Sequence, residues 1–377
     1  MTVEQTLAEL VSIDSVSAHS NLEIINYLAA RTRAAGLRVK FLPYTDERGV
    51  EKANMLAIAG ADPSDAIDVE LALVGHTDTV PYDQSWTSAL TLMERDGRLY
   101  GRGACDTKGF IAAALTALER VDLKRLRRPL ALVFTADEEV GCLGAKRLAD
   151  SGELSARYSI VGEPTSLQPM RAGKGYCLAE ITVRGQEGHS AYPALGASAI
   201  FRAARLVTHL EKIAEELRTK DLQAAFDPPY TTLNVGLIKG GTAKNIIAGE
   251  CRFTLEWRPV PGQKAEHLLD LVRMAIESER ERDAGFDCRI DVMRIDEAME
   301  TPADSPLVHL LVEATGRRAG TVAFGTEAPQ MTALGAQAVI LGPGDIRVAH
   351  RTDEFVAIAE LHQCVLILSG AIEYFCT

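Results

Sequence analysis

Basic side chains are in short supply. Lys and Arg total 40 against 52 Asp and Glu over 377 residues, a formal net charge of −12. So acidic a chain excludes the phosphate-tracking surfaces of nucleic-acid binders and adhesion to anionic membranes. Its one basic cluster, Lys124-Arg125-Leu126-Arg127-Arg128, falls where a helix is expected to end, a place the helix dipole favours for cations. Cysteine is sparse, seven residues with no C-x-x-C pair. That excludes a disulfide framework and points to free thiols in a reducing compartment. No apolar run is read as long enough to span a membrane, and residues 1–10 hold two Glu and no basic-then-apolar leader pattern, so a cytoplasmic protein is expected. Neither a G-x-S-x-G elbow nor a Walker loop occurs, and Gly101-Arg102-Gly103 lacks the third glycine of a dinucleotide turn. Internal repeats and low-complexity tracts are missing too.

What is present is a set of apolar runs that end in acids and imidazoles. Val69-Glu70-Leu71-Ala72-Leu73-Val74 reads as a buried strand and leads into Gly75-His76-Thr77-Asp78. Leu130-Ala131-Leu132-Val133-Phe134 runs into Asp137-Glu138-Glu139, three consecutive carboxylates that repel unless a cation or solvent compensates. Ser159-Ile160-Val161 ends in Gly162-Glu163, and Ala338-Val339-Ile340-Leu341 precedes His350. Asp106 sits among small residues just before a helix expected over 111–118, where an ordinary N-cap acid would also sit. His76 alone is equally consistent with a satisfied strand-end histidine. Together, ligands at strand ends fit the rule that α/β sites lie beyond the carboxyl ends of the strands. Three carboxylates and two imidazoles suit a pair of divalent ions sharing one carboxylate, and imidazole favours zinc, cobalt or nickel over magnesium or calcium.

The motifs Gly75-His76-Thr77-Asp78-Thr79-Val80-Pro81, Gly101-Arg102-Gly103-Ala104-Cys105-Asp106-Thr107-Lys108-Gly109, Asp137-Glu138-Glu139-Val140-Gly141 and Gly162-Glu163-Pro164-Thr165 resemble those of the di-zinc aminoacylase and carboxypeptidase G-like metallopeptidases. The resemblance covers essentially the whole chain. It implies a zinc-aminopeptidase-like α/β/α catalytic domain with an inserted α+β, ferredoxin-like dimerisation or lid domain. It implies two Zn²⁺ per subunit, with Co²⁺ able to substitute. His76, Asp106 and Glu163 would hold one ion and Asp106, Glu139 and His350 the other. Asp78 would orient His76, and Glu138 would be general base and then acid for a hydroxide bridging the ions. The peptide after Asp106 is expected to be cis by the same resemblance.

The pattern along the chain predicts domains at 1–173 with 286–377, and at 174–285. The inserted piece reads strand-helix-strand-strand-helix-strand. A strand over 288–293 is assigned back to the first domain. By resemblance, His189 reaches the partner's site in a homodimer and donates to the oxyanion. Asn245 meets the substrate carbonyl or carboxylate, and Arg258 clamps the carboxylate, a geometry guanidinium suits. Ordinary loop roles stay open for Asn245 and Arg258. Gly325-Thr326-Glu327-Ala328 stands where the desuccinylase branch carries a Gly-Thr-Ser-Asp-type motif. It resembles instead the branch that removes the acetyl group from N2-acetyl-L-ornithine, giving L-ornithine and acetate for arginine biosynthesis. Glu327 would pair with the side-chain ammonium of that substrate, a surface turn being the alternative. Another N-acyl-amino-acid hydrolase on the same scaffold, a succinyl-diaminopimelate desuccinylase or a dipeptidase, is the second expectation. A non-catalytic member that only binds a small molecule or a partner comes third.

Overall fold

The computed structural model describes residues 1–60 and 67–377. They form two compact units, Met1–Arg171 with Thr301–Gly320 and Thr326–Thr377, and Ala172–Glu300 with Thr321–Gly325.

The first unit opens on α1 (Val3–Ser12). Its start is set by a capping box: the Thr2 hydroxyl accepts from the Gln5 N–H and the Gln5 side chain accepts from the Thr2 N–H. Then come α2 (Leu22–Ala34), β1 (Arg38–Thr45), β2 (Glu51–Ala59) and β3 (Ile67–His76). Two short strands follow, β4 (Met93–Arg95) and β5 (Arg98–Tyr100), then α3 (Lys108–Arg120), β6 (Leu130–Thr135), α4 (Leu143–Ser151), β7 (Leu154–Val161) and β8 (Met170–Gly173). Every residue of β6 and the run 71–76 of β3 are buried. Continuous apolar runs of this kind belong to strands covered on both faces.

The chain then builds the second unit with β9 (Tyr176–Arg184), β10 (Gly188–His189), α5 (Ala199–Leu217), β11 (Thr232–Gly240), β12 (Ile246–Ile247), β13 (Glu250–Arg258), α6 (His267–Arg282), β14 (Asp287–Asp296) and β15 (Met299–Glu300). It closes with α7 (Pro306–Thr315), β16 (Gly320–Val322), α8 (Ala328–Ala333), β17 (Gln337–Ile340), β18 (Phe355–Ala357) and α9 (Ile358–Cys376).

In the first unit the sheet order is β1-β2-β6-β3-β7-β17, with β8 next. The four strands from β6 to β17 are parallel. Their carboxyl ends therefore emerge on one edge, which is where Asp78, Asp137 to Glu139, Glu163 and the chain leading to His350 leave the sheet. Glycine is required at position 162 on this edge, because a Cβ there would enter the Phe110 ring. Helix α3 is buried from Lys108 through Leu118. Helix α9 packs on it through Leu361, Cys364, Val365 and Leu368, all in the core of this unit. Helix α9 is long and apolar enough to cross a membrane by length and composition alone, against the expectation that no run approaches that length. Its apolar side is instead the sheet-covering face of a core helix.

The second unit is a four-stranded antiparallel sheet, order β11-β13-β9-β14. Cys177, Ala179, Ile181 and Val183 on β9 and Phe253, Leu255 and Trp257 on β13 point to one side, the period-two pattern of a half-covered sheet. Helices α5 and α6 cover that side with Ala203, Leu206, Leu210, Leu268, Leu269 and Val272. The strand assigned from sequence to the first domain at 288–293 lies in β14 and pairs with β9, Cys288 opposite Val183 and Ile290 opposite Ile181. A strand pattern in sequence does not say which sheet the strand joins.

Candidate active site

His76 closes β3 and is buried. Its Nε2 lies 3.0 Å from Asp106 Oδ1, and its Nδ1 lies 3.0 Å from the backbone carbonyl of Asp78. Asp106 stands just before α3, and the Asp106–Thr107 peptide is cis. The residue that caps α3 is Thr107. The Asp106 side chain turns to the imidazoles instead, so it is no ordinary helix cap. Its second oxygen, Oδ2, lies 3.1 Å from His350 Nε2. That imidazole also approaches Glu139 Oε2 at 3.0 Å. One carboxylate is thus shared between two histidines from opposite ends of the chain. Ligand atoms of His76, Asp106 and Glu139 fall within 4.8 Å of one another. Glu163, 5% exposed, interacts electrostatically with Asp106, Glu138 and His76.

The electrostatics are those of crowded buried acids. Burial pushes Glu138 up to about 8, with Glu139, Glu327 and Asp106 adding to the rise and His76 opposing it. Burial likewise raises Glu139, and it raises Glu163 well above the usual carboxylate range. Asp106 moves the other way. Burial works against its charge, but the bonds to His350 and His76 hold it below its ordinary value. Bonds to Asp106 and Glu139 raise His350 to about 10. Two imidazoles facing a larger number of buried acids is a donor set that fits a pair of divalent cations, whose charge would remove the repulsion.

Asp78 does something other than face the imidazole alone. Its Oδ1 is 3.7 Å from His76 Nδ1. The same oxygen accepts the backbone N–H of Glu138 at 3.0 Å, and Oδ2 accepts the N–H of Glu139 at 3.3 Å and the Ser17 hydroxyl at 2.6 Å. Asp78 therefore fixes the backbone that carries Glu138. Behind it, Lys52 is fully buried and donates to Asp137 Oδ1 at 2.8 Å and to the carbonyls of Ser17 and His19. Tyr44 adds its hydroxyl to Asp137 at 2.8 Å. Sequence reasoning missed Ser17, Tyr44 and Lys52. Only Asp137, as the first of three acids, carried a signal. Removing one partner of a buried pair leaves an uncompensated charge. Lys52→Met is therefore expected to lower the unfolding free energy by roughly 3–5 kcal/mol, measured by urea unfolding. An unchanged midpoint would show that Asp137 finds its compensation elsewhere.

Glu327 is not on a surface turn. It is 1% exposed, just ahead of α8, and its Oε1 meets no hydrogen-bond partner among the described residues. Burial pushes it up to about 7, against the pull of His76 and the Thr135 hydroxyl. In the second unit, His189 lies on β10 and is exposed, its Nδ1 accepting from the Ala191 N–H at 3.1 Å. Asn245 is exposed just before β12, its carbonyl accepting from the Ser190 N–H at 3.1 Å. Arg258 ends β13, paired with Glu256 at 2.8 Å, donating to the Ala323 carbonyl at 2.9 Å and stacked on Tyr176.

Residues 72–374 match the profile of peptidase family M20/M25/M40. The chain belongs to that family. It is 53% identical, over 98% of its length and 97% of the relative's, to an acetylornithine deacetylase of Myxococcus xanthus. It is 37% identical to the acetylornithine deacetylase of Proteus mirabilis strain HI4320, over 98% and 95% of the two chains. Among solved structures, a tripeptidase from Staphylococcus aureus superposes with a TM-score of 0.77 at 23% identity, covering 99% of this chain and 97% of that one. The M20 member described here is accordingly a hydrolase with the α/β fold of its family.

Proposed function

We propose that the protein is a metal-dependent amidohydrolase that removes the acetyl group from N2-acetyl-L-ornithine, releasing L-ornithine and acetate in arginine biosynthesis. The observation that carries the reaction class is the Asp106 carboxylate, one oxygen toward His76 and the other toward His350, with Glu138 beside it. The substrate follows from the identity to the Myxococcus xanthus acetylornithine deacetylase.

Two divalent ions fit the donor set, zinc by its imidazole content with cobalt able to replace it, held by His76, Asp106 and Glu163 and by Asp106, Glu139 and His350. When bound they would polarise the acyl carbonyl and lower the pKa of the attacking water. Glu138 takes the proton of that water as its oxygen adds to the acyl carbon. It returns the proton to the amine nitrogen as the C–N bond breaks. Glu138 is half-buried, and Asp78 holds its backbone in place.

We assign Glu327 to the side-chain ammonium of the substrate, since a buried carboxylate oxygen without a partner is costly unless the ligand supplies a donor. Arg258, with further N–H groups beyond its two bonds, is assigned to the substrate carboxylate and Asn245 to the carbonyl or carboxylate. His189 is assigned to the oxyanion in the partner's site of a homodimer. The second unit offers an edge for that dimer. Strand β11 ends its sheet, with Leu237 71% and Ile238 57% exposed. A cytoplasmic location is supported by seven buried cysteines with no disulfide among the described residues.

The test is hydrolysis of N-acetyl-L-ornithine, N-succinyl-diaminopimelate and a simple dipeptide by metal-loaded protein. A clear preference for acetylornithine is expected, and preference for either other amide discards the substrate. Glu327→Gln is expected to raise KM for acetylornithine by at least about tenfold, the size of a charge-assisted hydrogen bond. It should change KM little for an N-acetyl amino acid with a neutral side chain. Equal changes for both would remove Glu327 from substrate recognition.

A further inference from the structure

We propose that Glu354 is a positioning residue of the metal centre, a buried carboxylate that fixes the backbone of Asp106 and ties it to the loop carrying His350. The proposal rests on the metal-centre reading above. Glu354 is 1% exposed. Its Oε1 accepts the backbone N–H of Cys105 at 2.9 Å and of Asp106 at 3.0 Å. Its other oxygen accepts Arg102 Nη1 at 2.5 Å. The Glu354 carbonyl accepts the Gly101 N–H at 3.0 Å. Strand β18 begins at the next residue and pairs with β5, Phe355 opposite Tyr100. Main chain and side chain of Glu354 therefore grip the same loop from residue 100 to residue 106.

Arg102 is itself held. Its N–H donates to the Ala89 carbonyl at 2.7 Å, its Nη2 to the Pro81 carbonyl at 3.2 Å, and its guanidinium lies 5.4 Å from the Trp86 ring centre. What this achieves is specific to Asp106. That residue presents one oxygen to each imidazole, so a shift of its main chain spoils both contacts at once. A carboxylate accepting two adjacent N–H groups leaves the main chain little freedom to shift. Outer partners of metal ligands act in this way, and their loss costs about 10–100-fold in metal affinity.

The test compares two double variants of the full-length protein. Arg102→Met with Glu354→Gln removes the ion pair but keeps an oxygen for the two N–H groups. Arg102→Met with Glu354→Met removes the oxygen as well. Zinc affinity is measured by chelator competition, with circular dichroism confirming the fold. The Gln pair is expected within about threefold of the parent, and the Met pair weaker by about 10–100-fold. Equal affinity in the two overturns the proposal, because a merely structural ion pair would affect both alike. If the Met pair does not fold, Arg102→Met with Glu354→Ser, whose side chain is too short to reach the two N–H groups, must bind zinc several-fold more weakly than the Gln pair, and equal affinity overturns the proposal. Asp106→Asn serves as the control. Full zinc binding there would discard the metal centre itself, whereas weak binding there with equal double variants discards only the role of Glu354.

Discussion

Glu138→Gln is expected to lower kcat by about 10²–10⁴-fold, the usual contribution of a positioned general base, with zinc content unchanged. The substitution keeps the size of the side chain and removes its ability to take a proton. The backbone should stay put, because Asp78 holds residue 138 through its N–H rather than through its side chain. The Cys142 thiol, now 3.3 Å from Glu138 Oε1, can donate equally well to an amide oxygen. KM should therefore move far less than kcat, which marks an interaction made in the transition state. Near-normal turnover by zinc-replete Glu138→Gln protein would transfer the base to another residue.

Stripping the metals has the second large effect. Several kcal/mol of transition-state stabilisation leave with the ions, a loss of roughly 10³-fold in rate, and added zinc or cobalt should restore it. The stripped protein should also show a distinctive pH dependence. Glu138 and Glu327 are raised to about 8 and about 7 in the folded state, above the ordinary carboxylate values of an unfolded chain. Folded protein then binds protons that the unfolded chain does not, so stability falls as pH rises through that interval. His76 is raised well above its ordinary value and His350 to about 10. Their contribution is full below the unfolded imidazole value and is lost as pH climbs toward the folded one, which is the same direction. Asp106, lowered, acts oppositely but only in acid. The melting temperature of stripped protein is thus expected to drop from about pH 5 to about pH 8. Metal binding needs deprotonated ligands and strengthens with pH, so the gap between loaded and stripped protein should widen along the same axis. Parallel curves would show that the buried acids are compensated without metal.

Much of this centre was legible in sequence for one physical reason. A parallel sheet sheathed on both faces needs unbroken apolar strands, so the acid or imidazole that ends each run stands out. His76, Glu139 and Glu163 all follow that rule. Glu354 does not. It precedes a three-residue strand too short to show a period, and its partner strand lies some 250 positions earlier. Lys52 is one isolated charge in the sequence, and only the third dimension shows that three acceptors converge on it. Glu327 sits in a polar turn by composition, and its burial comes from tertiary packing. The apolar length of α9 was present in sequence as well, but composition does not separate a span from a core helix.

The separation of the two histidines has a consequence for how the protein is made. A chain emerging at about 5–20 residues per second completes the stretch through Glu163 roughly 10–40 s before it reaches His350. Up to that point the proposed ligands already synthesised number one imidazole among several carboxylates, an oxygen-rich set of the kind that suits hard ions such as magnesium. On the proposed ligand set, the second nitrogen that would shift the preference toward zinc arrives only with residue 350. On that ligand set, ion choice would be a late event in the life of the chain, decided after most of the first unit has already been synthesised.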